Sequence, residues 1–217
     1  MTKELGAEEA VAATRIWLER AVIGLNLCPF AQPVHLHDRI RYFVSDARSP
    51  ARLLEDLMAE LNALAAADPR QCETTLLIHP HVLTDFSDYN DFLGRADDAV
   101  SELGLEGVIQ VASFHPRYQF EDAAPDDIEN YTNRSPYPML HLLRESSVER
   151  AVTTYPDTTA IYSKNIETLR RLGHEGWRRL WLADVAQNEI VHRKDAKDAK
   201  DAKDAKDAKD AKEKRKG

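Results

Sequence analysis

The sequence predicts an α/β fold: a small, mainly parallel β-sheet built from βαβ units, with additional N- and C-terminal helices. Three observations carry this expectation. Apolar residues recur at helical spacing near the N-terminus, short β-rich runs then alternate with helical patterns, and two of those runs end in the same dipeptide, His-Pro, at His79 and His115. Strand, helix, strand, helix, strand in that order is the signature of parallel strands joined by crossovers.

Val11, Thr14, Leu18, Ala21, Val22 and Leu25 predict an amphipathic helix over 6–27, which Pro29 and Pro33 end before a loop containing His35 and His37. Ile40, Tyr42 and Val44 alternate with Arg39 and Arg41, as in a strand with one wetter face. Ser49-Pro50 is a helix start, Ser as N-cap and Pro in the first turn, and the leucines from Leu53 to Leu64 carry that helix to about Ala67. Thr74–Pro80 is short, continuous and β-rich, which suits a strand buried on both faces. A helix from about Ser87 to Leu103 follows, with Gly104 as its stop. Val108–Pro116 is the next strand, 117–136 a long polar loop, and 138–154, 158–172 and 175–190 are expected to be helices.

Residues 1–192 are expected to form one domain, large enough for a real core, and 193–217 a low-complexity Lys-Asp-Ala charged tail without stable structure. The formal charge is −8; residues 194–217 hold ten basic and seven acidic side chains, so about −11 falls on the rest. That balance argues against nucleic acid as a partner, because phosphate binding needs a basic face. No run is apolar over the ~20 residues that a membrane span needs. Acidic residues stand where a secretory signal would be basic and then apolar, and two cysteines make no disulfide framework. A cytoplasmic protein with a small-molecule ligand is the resulting expectation.

In a parallel sheet all strands end at one edge, where ligands of open α/β sheets usually sit. His79 and His115 would then share a rim with the polar residues that follow them and with the loop 117–136. Three chemistries compete there. His79, His81, Asp85, His115 and His141 are suitable ligand types for zinc or iron, with His79 and His81 on one face of an extended chain and His79, His81 and His115 the leading set; the bland alternative is that these histidines cap strand ends and bond to backbone. His79 and His115 could instead act in acid/base catalysis, while Arg134 clamps a carboxylate or phosphate. Arg134 could equally pair with Asp126, Asp127 or Glu129 to hold the loop. Cys28 is a candidate thiol nucleophile, in a segment slightly like the Cys-Pro-Phe of thiol oxidoreductases. It closes a helix rather than opening one, however, where the dipole disfavours a thiolate. Topology places it at the edge opposite His115, so a structural cysteine is the competing reading. Cys72 reads as structural, and Trp17, Trp177 and Trp181 as packing residues. Asp85, Asp88 and Asp91 suit a helix N-terminus.

The chain resembles a bacterial family of uncharacterised proteins, domain of unknown function 1415, over roughly residues 15–180. The resemblance rests on Gly24-Leu25-Asn26-Leu27-Cys28-Pro29-Phe30-Ala31, on Asp85-Phe86 with Asp88-Tyr89-Asn90-Asp91-Phe92-Leu93, on Gly104-Leu105-Glu106-Gly107-Val108, on Phe114-His115-Pro116 with Tyr118-Gln119-Phe120, and on Asn130–Pro138 running to His141-Leu142-Leu143-Arg144-Glu145. It implies that Cys28, His115, Asn133, Arg134 and His141 belong to the family's pattern, and it supplies no mechanism. The leading expectation is an enzyme acting on a small polar, anionic metabolite. His79, His115 and Cys28 would be its catalytic candidates, and Arg134, Asn133, Tyr118 and His141 its substrate-binding candidates. The alternative is a non-catalytic module that binds a metabolite or metal.

Overall fold

The first helix, α1, spans Ala7–Trp17 and runs on into a π-helical segment, Leu18–Ile23. Its wider turn is visible in two bonds of i to i−5 spacing, Gly24 N–H to the Glu19 carbonyl at 2.9 Å and Leu27 N–H to that of Val22 at 2.8 Å. Glycine is required at position 24, since a Cβ there would stand 2.4 Å from the Arg20 carbonyl oxygen. The stretch expected to be loop after Pro29 instead contains a short helix, α2 (Ala31–Leu36). Pro33 is tolerated because the N–H it lacks would be unpaired in a first turn anyway.

The computed structural model describes residues 6–154 and 161–181, which fall in two units, Met1–Arg171 and Leu172–Gly217. In the first unit β1 is Ile40–Val44, α3 Pro50–Ala66, β2 Thr74–Ile78, α4 Phe86–Glu102 and β3 Ile109–Phe114. Ser49 caps α3 by accepting from Arg52 N–H, and Asp85 caps α4 by accepting from Ser87 N–H. Gly104 takes the left-handed conformation, φ +65°, just past the end of α4. Residues 161–171 are helical in this unit. In the second unit 172–181 are helical, with Trp177 and Trp181 edge to face at 5.7 Å. Residues 182–190 of the last expected helix and the whole Lys-Asp-Ala segment lie outside the described residues, as do 155–160. No described helix is long and apolar enough to cross a membrane.

The expected helix over 138–154 is the main correction. Its first part is a strand, β4 (Met139–Arg144), and only Glu145–Thr154 is helical, as α5. The sheet has the order β1-β2-β4-β3, with β1 and β2 parallel and β4 antiparallel to both of its neighbours. It is therefore mixed rather than mainly parallel. The physical reason is that Met139-Leu140-His141-Leu142-Leu143 is apolar but for His141, and such a run suits a doubly buried strand as well as a helix.

Side chains alternate across the sheet, so each face has its own cover. Leu77, Leu140, Leu142 and Ile109 pack against Leu53, Leu57, Leu61 and Leu64 of α3 and Tyr89, Phe92, Ala96 and Ala99 of α4. Each such leucine contributes about 1.5–3 kcal/mol by leaving water. Arg144 reaches the C-terminal end of α3, donating to the carbonyls of Leu64 and Ala67, where the helix dipole favours a cation. The opposite face, carrying Leu76, Phe114 and His141, is covered by Trp17, the π-helical segment and α2.

Tyr89 closes the sheet at one end. Its hydroxyl accepts from Phe114 N–H at 3.0 Å and donates to the Met139 carbonyl at 2.8 Å, and these two residues are register partners in β3 and β4. Tyr89→Phe keeps the ring but strands both backbone groups. Urea unfolding should show a loss of about 1–3 kcal/mol, and an unchanged midpoint would mean that the bridge contributes nothing.

Candidate functional site

β2 and β3 both oppose β4, so they run in the same direction and end at the same edge. His79 and His115 do lie there, but fully buried, each 0% exposed. Tyr89 packs against both, its ring 5.8 Å from that of His79 in a stacked arrangement and 5.1 Å from that of His115. Phe86 lies against His115 at 5.4 Å and against Tyr118 at 5.2 Å.

Hydrogen bonding assigns the tautomers. His79 Nδ1–H donates to the Val82 carbonyl at 3.0 Å, whereas His115 Nδ1 accepts from Arg117 N–H at 3.0 Å. In the neutral rings this leaves Nε2 of His79 an acceptor and Nε2–H of His115 a donor, and both are buried without a partner. Burial pulls the His79 imidazole down to about 4, and the neighbouring His115 adds to the shift. Burial likewise lowers His115. Both rings are neutral at ordinary pH.

The other rim candidates disperse. His81 sits half-buried in the turn after β2. Among the described residues no three His, Cys, Asp or Glu side chains gather as a metal site needs. Arg134 serves the loop 117–136: its Nε donates to the Tyr118 carbonyl at 3.2 Å and its Nη2 to that of Pro125 at 2.6 Å, with the guanidinium 4.4 Å over the Tyr131 ring. These carbonyls and this ring take the place of the carboxylates weighed from the sequence; Glu129 pairs with Arg170. Asn133 ties the loop to β3, its Nδ2 donating to the Ser113 carbonyl and its own carbonyl accepting from His115 N–H. Asn130, fully buried, accepts from Phe120 N–H and donates to the Ala124 carbonyl. Sequence reasoning passed over Asn130 and Tyr89. Only Tyr89 carried a signal, since it shares its helix face with Phe92 and Ala96 and has a polar end that must be satisfied.

His141 is not at the rim. Paired across from Leu76 and Ala112, it projects from the opposite face of the sheet, toward α1 and α2. There it lines a cavity of about 50 Å³ with Cys28 and Thr74. The other lining residues are apolar, among them Trp17, Phe30, Val34 and Phe114. Thr74 donates to the Leu142 carbonyl at 2.6 Å, so His141 Nε2–H must donate to the Thr74 hydroxyl, at 2.7 Å. His141 Nδ1 is then the unprotonated nitrogen. Burial lowers this imidazole to about 4 and raises the Cys28 thiol, although backbone N–H groups of Phe30 and Ala31 partly oppose the latter. The Cys28 loop is fixed by Asn165, whose Nδ2 donates to the Leu27 carbonyl at 2.8 Å, and Trp17 by its indole N–H on the Arg134 carbonyl at 2.8 Å.

The loop Gly24–Ala31 and the turns around His115 and Asn133 are thus where the fold concentrates its constraints. A family model described as protein of unknown function, DUF1415, matches residues 9–179. The chain belongs to this family. The match includes all four strands, the cavity and the buried rim. No curated protein and no solved structure matches the chain.

His79 and His141 have folded values near 4 against about 6.5 in an unfolded chain. Above pH 6.5 neither state is protonated. As pH falls toward 4 the unfolded chain takes up protons that the native state refuses, so stability must fall across that window. Urea midpoints measured from about pH 7.5 to pH 4.5 should decline, by up to about 1.4 kcal/mol per pH unit for each histidine. A flat profile would contradict neutral burial.

Proposed function

We propose that this chain is an enzyme acting on a small metabolite held between its N-terminal helices and the sheet, with Cys28 and His141 as the groups that carry the chemistry. The observation that supports this is the composition of the cavity: a thiol, an imidazole and a hydroxyl among nine apolar lining residues. An apolar pocket with a few convergent polar groups is the usual form of a small-molecule site. Cys28 serves as nucleophile and His141, through Nδ1, as proton acceptor, with Thr74 holding the ring in the required tautomer. Apolar walls keep water out, so a polar group of the substrate is what stabilises the thiolate–imidazolium pair. His79 and His115, closed off from solvent, hold the strand ends instead.

One observation favours a second reading, a non-catalytic binding module. Burial drives both the Cys28 thiol and the His141 imidazole toward their neutral forms, which is no activated nucleophile. Incubation of the full chain with a metabolite extract, followed by mass spectrometry, separates the two. Loss of a substrate that Cys28→Ser and His141→Asn each slow by roughly 10²-fold or more supports the enzyme. Binding of an extract component that both variants weaken, without turnover, supports the module. Turnover that survives both substitutions would remove the cavity from consideration.

A further inference from the structure

The walls of the cavity restrict what can enter it. No Asp, Glu, Lys or Arg lines it. Burial keeps the Cys28 thiol and the His141 imidazole in their neutral forms. The Thr74 hydroxyl is already spent, donating to the Leu142 carbonyl and accepting from His141. An ion entering this space would lose its water and meet no opposite charge, which disfavours carboxylates, phosphates and ammonium groups alike.

Size narrows the choice further. An apolar cavity of ~150 Å³ holds benzene, with its six carbon atoms. The space here is about 50 Å³, which on that scale is room for about two non-hydrogen atoms. A molecule that fills it touches both Cys28 and His141, since both line it. The groups left to act on such a molecule are the thiol and the imidazole. An uncharged electrophile suits them, and so does a reaction that ends, as it begins, with no ion in the apolar space.

We infer that the substrate is a small hydroperoxide, its two oxygens in the cavity and the Cys28 sulfur as the attacking atom. The inference rests on the cavity reading proposed above and supplies its substrate class. A hydroperoxide is uncharged, electrophilic at oxygen and, in its simplest form, two heavy atoms in size. The S–O bond forms from a sulfur lone pair as the O–O bond breaks. The thiol proton passes to His141 Nδ1 and from there to the departing oxygen. Thiol and hydrogen peroxide thus become sulfenic acid and water. Sulfur is oxidised, peroxide oxygen is reduced, and no further reagent is consumed. The competing account is a packing gap in which thiol and imidazole are inert neighbours.

Cys72 is an internal reference: a free, half-buried thiol like Cys28, absent from the cavity lining, with its S–H on the Thr74 carbonyl at 3.6 Å. The full chain is exposed to hydrogen peroxide and quenched at intervals into denaturant containing dimedone, and each cysteine is quantified by mass spectrometry. Cys28 should be oxidised about tenfold or more faster than Cys72, and His141→Asn should slow Cys28 about tenfold or more without changing Cys72. Neither tert-butyl hydroperoxide, which is too bulky, nor peroxymonosulfate, which is an anion, should prefer Cys28. Val34→Ala, which widens the cavity, should create a preference for tert-butyl hydroperoxide but none for peroxymonosulfate. These size and charge comparisons decide the matter if His141→Asn fails to fold. Iodomethane is a carbon electrophile of two heavy atoms. If it methylates Cys28 first, in a His141-dependent way, while peroxide oxidises both cysteines alike, the hydroperoxide is overturned and the cavity reading stands. Preferential attack of peroxymonosulfate on Cys28 would overturn the exclusion of anions. A Cys28 no more reactive than Cys72 toward any reagent, or indifferent to His141→Asn with all of them, would overturn both readings.

Discussion

The antiparallel seating of β4 between β2 and β3 is the constraint on which the other features depend. A strand in that position is buried on both faces, so its sequence must be apolar throughout, and Met139–Leu143 is apolar but for one residue. That residue is His141. Because partners in a ladder share a face, pairing across from Leu76 and Ala112 sends His141 toward the N-terminal helices, while its neighbours Leu140 and Leu142 enter the core against α3 and α4. The same insertion sets β2 and β3 one strand apart while keeping them in a common direction. His79 and His115 then end at one edge without being adjacent, and Tyr89 fills the space against both.

Two neutral histidine environments result, on opposite faces and of different character. At the rim the imidazoles are enclosed by aromatic rings and backbone, with one nitrogen of each left without a partner. Two unsatisfied nitrogens are a cost that the fold carries there, since a buried polar atom without a hydrogen bond typically costs 1–3 kcal/mol. The loop 117–136 helps to keep that region closed. Asn130, Asn133 and Arg134 spend their side chains on its carbonyls and on β3, which makes a long polar segment part of the structure rather than an open lid. On the other face His141 lines an apolar cavity together with a thiol and a hydroxyl, and its Nε2–H is spent on that hydroxyl.

The N-terminal segment gives that cavity its shape. A π-helical turn widens the end of α1, Gly24 permits the close approach to the Arg20 carbonyl, and Asn26 adopts φ 54° before the chain reaches Cys28. Such turns are rare and frequent at functional sites. The bends allow Leu18 and Val22 on one side, and Ala31 and Val34 on the other, to line one space. Just outside it, Arg39 and Glu73 stand just before β1 and β2, at the sheet edge opposite the buried rim, and Arg150 of α5 pairs with the same carboxylate.

The sequence by itself determined the helix cap at Ser49, three of the four strands, the stop at Gly104 and the shared edge for His79 and His115. These are matters of local chemistry: a capping oxygen, a left-handed glycine, a β-rich run with polar ends. Tertiary structure decided the rest. Whether Met139–Arg144 is helix or strand depends on there being a slot between β2 and β3, which no local pattern encodes. Whether His115 faces water or Tyr89 depends on α4 packing over the strand ends, and the partners of Arg134 depend on how the loop folds back on itself. The meeting of Cys28 and His141 joins residues over a hundred positions apart, and only the alternation of faces along a correctly placed β4 brings them to the same cavity.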